Sequence, residues 1–167
     1  MRTCKVWGAA LAVLAWGIAG GTAAQPLPTV TTKYLPLDLA IEAAQAAIAA
    51  CKAQGYIVSV TIVDRAGNLK LALVADSADV RPDVSHRKAY TAATRLVTTT
   101  ELADAIAKPG AFNPTLYDPM MVAAGGGVPI KAGGEFIGGI GVGGAPGGDK
   151  DEACARAGLT KIGDRLK

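Results

Sequence analysis

The chain has 167 residues, of which 50% are hydrophobic, 5% aromatic and 19% charged, with a formal net charge of +3. Two of the basic residues, Arg2 and Lys5, precede an apolar run from Val6 to Ala19 that closes on Thr22, Ala23 and Ala24, so residues 1–24 read as a secretory signal peptide. That run is about 14 residues, short of the roughly 20 that span a bilayer. Removing the segment leaves fifteen basic and fourteen acidic residues, with no basic stripe and few aromatics, which excludes nucleic acid as an expected partner.

The mature chain is expected in the periplasm or outside the cell, and its length suits one domain with its own core. Cys4 leaves with the signal peptide. Cys51 and Cys154 can then form one disulfide, as an oxidising compartment permits, or remain two separately buried thiols.

Residues 25–35, with Pro26 and Pro28, read as an extended leader before a domain over 36–167. Leu37, Ala40, Ile41, Ala44, Ile48 and Cys51 recur at helical spacing and predict a first helix, which Gly55 ends. Val58, Val60 and Ile62 alternate with Ser59, Thr61 and Val63, a turn follows at residues 64–68, and Leu69, Leu71 and Leu73 alternate again. This predicts a hairpin. After a polar loop ending at Pro82, residues 84–97 predict a second helix, and the Thr98–Glu101 spacing of a capping box predicts a short third over 99–107. Residues 111–119, with Pro114 and Pro119, form a loop or single turn.

Twelve of the twenty-one glycines fall between Gly125 and Gly148, interleaved with Val128, Ile130, Phe136, Ile137, Ile140 and Val142. Strands over 121–130 and 135–142, joined by a four-residue turn, are predicted here. That turn sets Ile130 opposite Glu135, which puts Gly126, Gly139 and Gly141 on one bald face and leaves Phe136, Ile140 and Val142 to the core. Such glycines mark a close backbone approach by a ligand, a helix or another subunit. A last helix begins after Gly148, with Asp149, Asp151 and Glu152 at its positive end.

The order of helix, two strands, helices, two strands and helix defines an α+β class, a mostly antiparallel sheet flanked by N- and C-terminal helices with a middle helical segment. The first and last helices can pack antiparallel on one face, making Cys51 and Cys154 neighbours.

Gly139, Gly141 and Gly144 spell GxGxxG, but the second βα unit of a dinucleotide fold has no room in the roughly 25 residues that follow. Ser85 to Lys88 spells SxxK, without the other elements of a penicillin-binding enzyme. His86 is the only histidine. Alone it cannot complete a conventional zinc site, yet one imidazole suffices as an axial ligand to haem iron, where porphyrin supplies four nitrogens. A solvated residue beside Arg87 and Lys88 is the ordinary alternative.

The segments VSVTIVDRAGNLKLAL (58–73), SHRKAYTAA (85–93) and GGGVPIKAGGEFIGGIGVGGAPGGDKDEACARAGL (125–159) together resemble the GlcG/HbpS-like haem-binding family, a domain that also follows PduO-type corrinoid adenosyltransferases. The resemblance covers residues 36–165. It implies a profilin-like sandwich, often a homo-oligomer, that in several members binds haem or iron, and in some is exported as a redox or haem sensor with a membrane partner. Lys88, Ala89, Thr91 and Ala92 match one family signature; Gly126, Gly127, Pro129, Gly138, Gly141, Val142, Gly144, Asp151 and Gly158 match another, chiefly architectural one. One branch is associated with iron through paired glutamates in the first helix; here Glu42 is the sole glutamate there.

Three functional expectations follow. The first is an exported protein holding haem, or another flat small molecule, in an apolar cleft, with His86 as iron ligand, Arg87 or Lys88 near the propionates, and Tyr90 stacking on the ring or serving as an alternative phenolate ligand. The second is an oligomeric accessory protein whose glycine face packs on a partner without a cofactor. The third, an enzyme of small-molecule metabolism, lacks a recognisable catalytic constellation, Asp64 and Asp118 being ordinary turn carboxylates.

Overall fold

A computed structural model describes residues 31–76, 79 and 82–167. Residues 1–24, expected to be a signal peptide, and most of the expected leader lie outside the described residues. Helix α1 (Leu37–Lys52) is followed by strands β1 (Ser59–Asp64) and β2 (Leu69–Val74), then by helices α2 (Pro82–Arg95) and α3 (Thr99–Ile106). A single 3-10 turn at Pro114–Leu116 leads to β3 (Gly127–Ala132), β4 (Glu135–Gly143) and helix α4 (Gly148–Ile162). Among the described residues no helix is long and apolar enough to cross a membrane.

The four strands form one antiparallel sheet in the order β2-β1-β4-β3. Because side chains alternate along a strand, β1 presents Val60 and Ile62 to one side and Ser59, Thr61 and Val63 to the other. The first side carries the main core, in which Val58, Val60, Ile62, Ile130, Ile140 and Val142 meet α1 and α4. Alanines let those two helices approach closely: a Cβ on Gly158 of α4 would sit 2.5 Å from the Ala43 carbonyl oxygen. They run antiparallel, with Glu42 near the start of α1 paired to Arg165 just beyond the end of α4. At the opposite end Cys51 and Cys154 are joined by a disulfide whose Cα atoms are 5.5 Å apart.

Thr98 caps α3 with the expected box, its side chain accepting from the Glu101 amide while the Glu101 carboxylate accepts from the Thr98 amide. The second hairpin departs from expectation. Its loop is the two residues Gly133 and Gly134, with φ of +58° and +86°, so Ala132 rather than Ile130 stands opposite Glu135. Two glycines at positive φ build the tight turn whose twist suits a hairpin, and a four-residue loop is unnecessary. Val128 consequently pairs with Ile140, Pro129 with Gly139 and Gly127 with Gly141. The register skips Ile137, a bulge that turns this residue into the core, while Phe136 is only half-buried, with the Lys131 ammonium 4.3 Å above its ring.

Candidate functional site

Helix α2 lies on the second face of the sheet, with Thr99 at the start of α3 reaching Gly127 at the β3 edge. Pro82 opens it and Asp83 occupies its first turn, both favourable at a helix N-terminus. Ser85, Lys88, Ala89 and Ala92 are its buried stripe. Beneath it the strands carry glycine: a Cβ on Gly141 would meet the Ser85 carbonyl oxygen at 2.1 Å, one on Gly139 the Ala89 oxygen at 2.4 Å, and one on Gly127 the Lys88 oxygen at 2.3 Å. What approaches the bald face is therefore the backbone of α2. Gly126 is not part of that face; it precedes β3 at φ +119°, where a Cβ would strike the Val142 oxygen and Asp151.

A helix about 10 Å across cannot cover four strands set about 4.8 Å apart. Centred on β4 and β1, α2 leaves the face of β2 open, and Leu69, Val74 and Val84 of the helix's first turn are exposed. His86, about 100° round the helix from Ser85, points to this flank. It lines a cleft with Thr61, Leu69, Ala72, Pro82 and Asp83. Its Nε2 is buried and has no hydrogen-bond partner.

The other residues expected beside His86 diverge. Lys88 is buried, and its ammonium lies 2.7 Å from Asp151 of α4, both side chains at most 6% exposed; this cation is committed to the scaffold and does not reach the cleft. Asp151 also accepts from the Ala145 amide, tying α2 to the turn that opens α4. Arg87 donates to the Met121 carbonyl oxygen from the outer side of α2. Tyr90 shares the His86 flank one turn on, where its ring edge fills the space above Gly67 and its hydroxyl donates to Asp118 at 2.9 Å. That hydrogen bond, then burial, then the Asp118 charge raise the phenol pKa, which opposes a phenolate ligand. Asp64 is a turn residue as read: burial would raise its pKa, but hydrogen bonds from the Asn68 side chain and amide and the Ala66 amide, aided by Lys70, bring it below the usual value.

Sequence reasoning missed a buried hydroxyl cluster beside the cleft. Thr61 Oγ1 lies 2.8 Å and Ser59 Oγ 3.1 Å from Ser85 Oγ, which itself is 3.0 Å from the Pro82 carbonyl oxygen. Small polar residues two apart, between Val60, Ile62 and Val63 of the same strand, were the available signal.

The site can be tested against haem on its donor set. His86 borders a cleft walled by Leu69, Ala72 and Pro82 and keeps one ring nitrogen without a hydrogen bond, so the residues can offer one ligand atom to an iron. A metal reaches that nitrogen only when the side chains covering it give way. Among the described residues no group of three or more His, Cys, Asp or Glu could hold a bare metal ion, and Glu42 is engaged by Arg165 and, at 4.0 Å, by Lys161.

An antiparallel four-stranded sheet with α1 and α4 on one face and α2 on the other defines a small α+β class. Residues 35–160 match the family described as "Haem degrading protein HbpS-like", and the chain belongs to this family. It is similar to a double mutant of HbpS from Streptomyces reticuli at 41% identity, over 85% of this chain and 96% of that one, with a TM-score of 0.73. Protein ORFY of Klebsiella pneumoniae is 26% identical, with a TM-score of 0.74 over 83% and 98% of the two chains. The PduOC:heme complex is likewise 26% identical, with a TM-score of 0.71 over 78% and 96%. No curated protein matches the chain.

Proposed function

We propose that this chain is an exported haem-binding protein that takes porphyrin against the open face of β2, with His86 as the axial ligand. The observation that carries the reading is the buried, unpartnered Nε2 of the single histidine, set in an apolar cleft of a family member whose relative PduOC is a haem complex. Bound haem would supply an iron with one or two axial positions, while Leu69, Ala72 and Pro82 would exclude water from the imidazole side. Export is supported by the charged, apolar and small-residue pattern of residues 1–24 and by the Cys51–Cys154 bond, which an oxidising compartment sustains. Titrating the mature protein with hemin tests the reading: a saturable Soret shift is expected, and its absence overturns haem binding. His86→Ala is expected to change the spectrum of the complex; an unchanged spectrum removes the ligand assignment alone.

A second reading, assembly with further copies or with a sensor partner, is favoured by a specific surface. Phe112 and Tyr117 stack with ring centroids 5.4 Å apart, and with Leu116 they stand 66–76% exposed on the loop before β3. Exposed aromatics of this kind serve as interface anchors. Leu116→Ser with Tyr117→Ser is expected to lower the mass of the assembly measured by light scattering, and an unchanged mass rejects this surface as the interface.

A further inference from the structure

We infer that the hydroxyl cluster of Ser59, Thr61 and Ser85 is the positioning device that aims His86 into its cleft. The inference rests on the reading of His86 as the ligand-binding residue, and it concerns what holds that residue in place.

The contact between α2 and the sheet has a glycine floor at its centre, flanked by a small apolar cluster of Val63 with Ala89 and Ala93. Gly139, Gly141 and Gly127 offer α2 a flat backbone surface, on which the Ser85, Lys88 and Ala89 carbonyls rest directly. Close-packed ridges ordinarily fix a helix's rotation about its own axis. A glycine floor cannot, because it presents no ridge. Directional bonds contribute instead: Lys88 to Asp151, Tyr90 to Asp118 and the Val122 amide to Thr91 hold the later turns of α2, and Ser85 holds the first.

Ser85 is fully buried, as are Ser59 and Thr61. A serine hydroxyl has one proton and two lone pairs. Ser85 Oγ gives its proton to the Pro82 carbonyl oxygen and thereby becomes the acceptor of both Thr61 Oγ1 and Ser59 Oγ. Ser59 shares its own proton with the Gly143 carbonyl oxygen at 3.4 Å. Every hydroxyl in the cluster has a partner, and α2 is bonded to the central strand β1 through the residue that immediately precedes His86. Turning the helix by one residue's worth of rotation would break these buried bonds and swing the imidazole off the β2 flank. Thr61 belongs to both structures, since it also lines the cleft. Ser85 and Thr61 are positioning residues, which act on His86 through α2 and contribute no ligand atom.

Because His86 is the only histidine, its two ring nitrogens give the only imidazole signals in a long-range 1H–15N spectrum of the full chain, with or without hemin. Thr61→Val keeps the shape of the side chain and removes the hydroxyl. It is expected to leave the far-UV circular dichroism unchanged, to shift or split the imidazole nitrogen signals, and to raise the hemin concentration at half saturation at least tenfold. Thr61→Ser is expected to restore both. Ser85→Ala is the second variant, with the same imidazole signature expected. Folded Thr61→Val and Ser85→Ala proteins whose imidazole signals match those of the parent overturn the inference. A parent that shows no Soret shift overturns the haem reading alone, because the imidazole signals decide the positioning without hemin.

Discussion

The least replaceable residues are those with no side chain. Gly141 is limited by space and not by its backbone angles: an added methyl group would collide with the Ser85 carbonyl at 2.1 Å and with the Ala89 amide at 2.5 Å, both main-chain atoms of a helix that cannot yield locally. Gly141→Ala is expected to destabilise the protein by roughly 2–3 kcal/mol, the cost of overpacking where no side chain can move aside. Urea denaturation checks this, and a change below about 0.5 kcal/mol, the range of ordinary surface substitutions, would refute the close contact. The abundance of glycine between residues 125 and 148 is legible in the sequence, as is the need for a close approach. Which of them share a face is not, because the two-residue turn at Gly133 and Gly134 and the bulge at Ile137 each shift the alternation by amounts that hydrophobic pattern alone does not reveal.

At the scale of elements, the buried pair of Lys88 and Asp151 joins α2 to the start of α4, two helices on opposite faces of the sheet. Such pairs add little over an apolar replacement, but removing one partner strands the other charge. Lys88→Met is therefore expected to cost roughly 3–5 kcal/mol, and Lys88→Met combined with Asp151→Leu less than the single change, as measured by guanidinium unfolding of the double-mutant cycle. A single variant as stable as the parent would show that Asp151 retains solvent. Sequence reading placed Lys88 beside haem propionates because it stands two residues from His86. On a helix that spacing sends the two side chains in nearly opposite directions, toward β3 and α4 in one case and toward β2 in the other.

For the whole molecule the decisive long-range link is the Cys51–Cys154 bond, which spans 103 residues and clips α1 to α4. Closing a loop of that length constrains the unfolded chain by roughly 4–5 kcal/mol in the chain-entropy view. Replacing both cysteines with alanine is expected to lower the melting temperature strongly, and reductant is expected to do so only slowly while the fold is intact, since both sulfurs are buried. A melting temperature indifferent to both treatments would count against the bond as a stabilising element.

The sequence by itself determined the element order, the capping of α3 and the alternation of β1, because each follows from local periodicity or from caps a few residues apart. It also singled out His86 as the one imidazole. Only the tertiary structure decided that α2 is what covers the glycines, that Lys88 belongs to the scaffold, that Tyr90 is held by Asp118, and that Ser59 and Thr61 meet Ser85. Those outcomes depend on how strands some eighty residues apart align and on which flank of a single helix remains uncovered, and contacts of that range leave no periodic trace in the chain.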